Sequence, residues 1–276
     1  MRAKRREKGS LSPQGIWRAK EAKLLDMKRA PLTLALVAFS FFVGACAHQG
    51  AMAPRPTAPR PPVAAQLGDG VQWLRASAEY RALAISTFHA ASEATAHAVT
   101  GKARDSWAVV LDADETVLDN SVFQRDLSRG TAPFSEEMWA TFVRQRSAVA
   151  VPGAKAFLDR VKELGGRIAI VTNRFARLCE DTKENFRIQA LPFDVILCRV
   201  DVGDKNPRFA SVASGAAFED GKPREIVAFV GDNILDFPAM KQSLRDEPEA
   251  AFDPFGKRFF VLPNPMYGSW QQVPAR

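Results

Sequence analysis

WAVVLDADETVLDN, residues 107–120, decides the fold: an apolar run with two adjacent valines stops at a pair of acids, Asp112 and Asp114, set two residues apart. That is how a strand buried on both faces reads when it runs straight into a polar loop. Downstream, the runs 167–172 (RIAIVT), 194–198 (DVILC), 226–230 (IVAFV) and 258–262 (RFFVL) repeat the pattern. Between them lie helical patterns at about 152–164, 177–190, 207–217 and 234–244. Upstream, residues 71–99 carry apolar positions at helical spacing without proline and predict one or two helices. Ser135-Glu136-Glu137 opens another through about Ser147, with its acids where the helix dipole favours them. Strands alternating with helices require right-handed crossovers and a parallel sheet covered on both faces. In such an α/β fold, ligands bind beyond the carboxyl ends of the strands.

The 276 residues, 46% hydrophobic and 25% charged, have the mix of an ordinary globular chain, which excludes a disordered, collagenous or polytopic membrane protein. The net charge of +7 suggests an acidic partner until it is located. Residues 1–30 hold ten Lys/Arg and three acids, so the rest of the chain carries 28 residues of each sign. A nucleic-acid partner therefore loses its main support.

The amino terminus has its own logic. Lys28 and Arg29 precede an uncharged apolar run, Pro31 to Ala45, too short to span a bilayer comfortably and shaped like a secretory signal peptide. Its end, Val43-Gly44-Ala45-Cys46, resembles a bacterial lipobox, which implies cleavage before Cys46 and a membrane anchor on its sulfur. Residues 1–45 are then a leader, and Met27 is a sufficient start for it. A buried core helix with a chance cysteine is the competing reading. Residues 46–62, rich in Ala, Pro and Arg, read as a polyproline-like tether, leaving 63–276 as the folded body. The protein is expected in the bacterial cell envelope, and Ala47 in place of an acid favours the outer membrane. Cys179 and Cys198, in a disulfide-permissive compartment, could bridge or remain two buried thiols.

Four polar clusters follow four of the apolar strands: Asp112 to Asn120, Thr172-Asn173-Arg174, Lys205-Asn206-Pro207-Arg208, and Gly231-Asp232-Asn233 with Asp236. Asp112 and Asp114 project alike if extended geometry persists. With Asp232 and Asp236 they gather carboxylates that repel unless a cation joins them, and hard oxygen ligands suit Mg²⁺. Lys205, the hydroxyl of Thr172 and nearby amides would hold an anion such as a phosphoryl group against the metal. Lys222 is a distant rival to Lys205, and Arg174 and Arg208 read as surface ion-pair residues. His48, His89 and His97 show no ligand clustering.

In these four motifs the chain resembles the haloacid dehalogenase (HAD) superfamily, and more narrowly the class C ("DDDD") acid phosphatases of subfamily IIIB, over roughly residues 70–276. Trp73, Ser77, Glu79 and Tyr80, the Ser135–Trp139 segment, and the closing Leu262-Pro263-Asn264-Pro265-Met266-Tyr267-Gly268 belong to the resemblance. It implies a Rossmann-like three-layer sandwich with a small helical cap over about 119–150. It also implies Mg²⁺-dependent hydrolysis of phosphomonoesters through a phosphoaspartate. Asp112 would be the nucleophile and Asp114 the acid and then base, both with Asp232 holding metal and Asp236 in support. Thr172, Asn173 and Lys205 would bind the phosphoryl group. Trp139 resembles an aromatic that packs over nucleobases, with Tyr267 as a second wall, which points to 5′-nucleotides; core or interface packing is the other account of both rings. A homodimer stays open. Two rival functions remain: a phosphotransferase using the same intermediate, and a surface lipoprotein that captures a ligand such as haem or a nucleotide.

Overall fold

The computed structural model describes residues 68–274. The leader over 1–45, its start at Met27, the lipid site at Cys46 and the tether over 46–62 lie outside the described residues. Residues 71–99 resolve into two helices, α1 (Asp69–Ala76) and α2 (Ala78–Ala98). They break at Ser77, whose extended backbone frees its Oγ to accept the Tyr80 N–H at 3.0 Å and cap α2. Then come β1 (Trp107–Leu111), β2 (Leu118–Asp119), α3 (Ser121–Arg129), α4 (Glu136–Arg144), β3 (Val149–Ala150), α5 (Ala154–Leu164) and β4 (Arg167–Phe175). The chain continues through α6 (Cys179–Ile188), β5 (Val195–Arg199), α7 (Asn206–Ser214), β6 (Glu225–Gly231) and β7 (Phe259–Val261).

Five strands form one parallel sheet in the order β5-β4-β1-β6-β7. All five residues of β1 are buried, as a central strand covered on both faces must be. Its alternation sorts the core. Val109 and Leu111 join Phe88, Phe157 and Phe186 of α2, α5 and α6 on one face, while Ala108 and Val110 join Phe209, Phe229 and Phe259 on the other. The three-layer α/β arrangement follows from that division. Trp107, fully buried, dictates the turn before β4: a Cβ on Gly166 would lie 2.3 Å from its ring. The preceding Gly165 ends α5 at φ 87°, in the left-handed region.

The segment 119–150 contains α3 and α4, and the antiparallel pairing of β2 with β3 closes its base, Leu118 against Ala150 and Asp119 against Val149. Ser135 caps α4 by accepting the Met138 N–H. The helix expected over 234–244 is not formed. Short 3₁₀ turns at Ile234–Asp236 and Gln242–Asp246 stand there instead, because Pro238 has no N–H to give and drives Phe237 to an extended conformation. The Phe237 ring joins Phe255 and Phe259 in the second core. Cys179, at the start of α6, and Cys198, in β5, are joined in a disulfide with their Cα atoms 5.9 Å apart.

Closing a loop of 19 residues should stabilise the fold by about 2–4 kcal/mol through the unfolded chain. Urea denaturation of the Cys179→Ala/Cys198→Ala double variant is expected to show a loss in that range.

Candidate active site

Strand order reverses around β1, so the crevice opens above the carboxyl ends of β1, β4 and β6. Asp112 follows β1 directly. Its backbone N–H donates to the Val230 carbonyl of β6, and its Oδ2 accepts the Asp114 N–H at 3.0 Å. Lys205, at the N-terminus of α7 and 4% exposed, donates from Nζ to Asp112 Oδ1 and, at 2.7 Å, to Asp236 Oδ1. Asp232 follows β6; Thr116 Oγ1 donates to one of its oxygens at 3.1 Å and Asn264 Nδ2 to the other at 2.8 Å. The other oxygen of Asp236 accepts the Asn233 N–H at 2.9 Å. Gly231 permits this approach, since a Cβ there would lie 2.3 Å from the Cβ of Asp236.

Oxygens of Asp112, Asp232 and Asp236 lie within 4.8 Å of one another. Three carboxylates against the single ammonium of Lys205 leave an excess of two negative charges in a buried place. Burial, with repulsion from Asp236 and Asp114, pushes the Asp112 carboxyl up to about 7 although Lys205 pulls it down. Asp232 is pushed well above the carboxylate range by burial and by Asp236 and Asp112. Lys205 is raised by the two carboxylates despite its burial. An all-oxygen donor set with a charge deficit of two fits a divalent cation of the hard class.

Asp114 is gripped at one end. Arg174 Nε, at 2.9 Å, and Asn120 Nδ2, at 2.8 Å, donate to its Oδ1, with Arg174 Nη2 in ion-pair contact at 2.8 Å, so Oδ2 is the oxygen left unengaged. Arg174 is not the surface residue the sequence suggested: it is 2% exposed, donates also to Thr182 Oγ1 and Asn120 Oδ1, and sits 5.4 Å from the Trp139 ring centre. Arg208 is likewise half-buried, its guanidinium bonded to the Thr172 carbonyl and to Asn173 Oδ1. Sequence reasoning also passed over Glu115, buried with φ 54°, which accepts hydrogen bonds from the Tyr267 hydroxyl and the Asn120 N–H. The signal for both was adjacency: Glu115 lies inside the first cluster, and Arg174 shares a strand face with Thr172.

These groups floor a cleft of about 640 Å³ lined by Asp112, Asp114, Asp232, Asp236, Lys205 and Asn173. Thr172 is fully buried beneath it, outside the lining, with its hydroxyl accepting the Arg174 N–H at 3.1 Å. Lys222 is exposed and apart from the cleft. Trp139 and Tyr267 both reach the lining, yet Trp139 packs on Phe123 and Phe142 and takes Arg174 against its ring, so much of it is committed to the protein. Phe134, 51% exposed, is the more open aromatic on that wall.

A parallel α/β sheet with a carboxylate cluster and a buried lysine at its switch point suits an α/β enzyme that holds an anionic substrate beside a cation, and the comparisons with known proteins sharpen that class. Residues 45–270 match the family described as HAD superfamily, subfamily IIIB (acid phosphatase). The chain belongs to that family and is a phosphomonoester hydrolase. Among solved structures it is similar to the class C acid phosphatase from Bacillus anthracis, at 29% identity and a TM-score of 0.65 over 73% of this chain and 85% of that one. The same enzyme with tungstate bound matches at 28% identity and 0.64, with the same coverage.

The raised acids carry a sign. A carboxyl whose folded pKa of about 7 exceeds its unfolded value costs stability as pH rises from about 4 through 7. A divalent cation removes that cost, so added Mg²⁺ should raise the melting temperature more at pH 7.5 than at pH 5, relative to EDTA, in a thermal denaturation series.

Proposed function

We propose that the chain is a Mg²⁺-dependent acid phosphatase acting on nucleoside 5′-monophosphates through a phosphoaspartate. The observation that supports this most directly is Asp112 at the floor of the cleft, bonded to Lys205, with Asp114 two residues on and held through one oxygen only. Asp112 attacks phosphorus while the ester P–O bond breaks, and Asp114 Oδ2 gives its proton to the leaving oxygen. A water then attacks the aspartyl phosphate, Asp114 takes its proton, and inorganic phosphate leaves with Asp112 regenerated. Lys205 offsets charge on the transferring group, in a reaction where positioning and electrostatics dominate. Asp112, Asp232 and Asp236 would hold the cation, which supplies Lewis-acid polarisation of the phosphoryl oxygens when bound. Asp114 would add its backbone carbonyl.

Tungstate, named for the Bacillus anthracis relative, is an oxyanion of phosphate-like shape, consistent with an anion cage in this family. Nucleotide preference is supported by the apolar residues Leu127, Phe134, Trp139, Met266 and Tyr267 in the same cleft lining as the acids. The leader-like residues 1–45 and the lipobox-like Val43–Cys46 support an exported, lipid-anchored protein of the bacterial envelope, at its outer membrane.

Phosphate release from AMP and p-nitrophenyl phosphate, with Mg²⁺ or EDTA, tests the reading. Asp112→Asn is expected to lower kcat by at least about 10³-fold on both esters; activity that survives it would remove the phosphoaspartate. Phe134→Ala should raise KM for AMP by roughly 5–100-fold, the worth of one stacked base, while p-nitrophenyl phosphate changes less.

A further inference from the structure

Three cations line the cleft, and two of them are neutralised: Lys205 by Asp112 and Asp236, Arg174 by Asp114. Arg199 is the third. It ends β5, pairs in register with Phe175 of β4, and has no acid within ion-pair distance among the described residues. Its Nε is buried without a hydrogen-bond partner. Its guanidinium carbon lies 3.8 Å from the centre of the Phe175 ring. Stacking on an aromatic face fixes the plane of a guanidinium and leaves its N–H rim to bind a planar or tetrahedral oxyanion. The neighbouring Cys198 is tied to Cys179, so this end of β5 is held covalently to α6.

Beside it stands a second donor. Asn173 gives its Oδ1 to Arg208, which leaves Nδ2 unpartnered at the cleft wall. The point where a Cβ on Gly203 would sit lies 3.5 Å from Asn173 Nδ2 and 4.0 Å from Arg199 Nη1. Gly203 thus keeps a small space open between two free donors. The transferring phosphoryl group has its own cation in Lys205, and neither Asp112 nor Asp114 touches Arg199.

We infer that Arg199 and Asn173 form a second anion subsite, which selects phosphomonoesters carrying a further anionic group, such as nucleoside bisphosphates, over singly phosphorylated ones. The inference rests on phosphomonoester hydrolysis in this cleft and adds a substrate class to it. Arg199 acts on specificity.

The test compares 5′-phosphate release from AMP with that from adenosine 2′,5′- and 3′,5′-bisphosphate. One charge-assisted contact predicts kcat/KM roughly 10–100-fold higher for at least one bisphosphate. Arg199→Gln should remove that excess, Arg199→Lys should restore part of it, and Gly203→Leu, which fills the space without removing charge, should reduce it. Equal rates on the three nucleotides in the unmutated protein overturn the inference. So does an equal loss on AMP and the bisphosphates in Arg199→Gln, which would assign Arg199 to the transferring phosphoryl group. If no ester at all is hydrolysed, the catalytic reading fails separately, and calorimetric titration of Asp112→Asn decides the subsite: tighter bisphosphate binding that Arg199→Gln abolishes supports it, equal affinities refute it.

Discussion

A buried ammonium between two carboxylates organises this molecule: Lys205 between Asp112 and Asp236. Each partner comes from a different part of the sheet, Asp112 after β1, Lys205 before α7 and Asp236 from the turn after β6. Without the lysine, three acids would meet with no cation of the protein's own, and burying like charges unpaired costs several kcal/mol. With it, two negative charges remain uncompensated. The fold therefore tolerates the cluster while leaving it two charges negative, which suits a divalent cation, and the same residues that make the site costly to fold could hold one.

A second device keeps Asp114 from joining that cluster. Arg174, buried with its guanidinium near the Trp139 ring, draws Oδ1 away through its Nε–H and an ion pair, and Asn120 adds a second hydrogen bond. Asp112 and Asp114 are two residues apart and could share one environment; instead one faces Lys205 and the other faces Arg174. Two neighbouring acids thus stand in unlike surroundings, one against a lysine and a second carboxylate, the other against an arginine and an amide. Asn120 bridges the arrangement, donating to Asp114 and Glu115 while accepting from Arg174. Because Glu115 in turn holds the Tyr267 hydroxyl, the wall of the cleft is tied to its floor.

Much of this was legible in the sequence, for physical reasons. A strand buried on both faces has few ways to be written, so WAVVL and the apolar runs of β4, β5 and β6 showed the parallel sheet and put the acids at its carboxyl ends. The helix expected after β6 was misread because apolar residues at helical spacing recur in 234–244; Pro238 overrides them, and the freed Phe237 serves the core as an extended residue. Arg174 was misread because long basic side chains are usually exposed, and only the fold shows that Asp114, Asn120 and Thr182 converge on it. For Trp139 the two accounts left open by the sequence both hold in part. Its position in the cleft was foreseen, but the packing of Phe123, Phe142 and Arg174 around it, which turns the open surface over to Phe134, is a tertiary fact.

The partition of charge around the cleft also explains why its two sides differ. On the side of α3 and α4 the lining mixes Leu127, Phe134 and Trp139 with Gln124 and Glu136, and Arg174 is paired with Asp114. On the side of β4 and β5 the sheet ends in Phe175 and Arg199, stacked on each other, with Arg177 against the same ring at 4.4 Å. An arginine held by an aromatic face rather than by a carboxylate keeps its full charge while losing its freedom to swing. The acids at the floor repel an anion, and a cation at the rim without an acidic partner among the described residues offsets that repulsion.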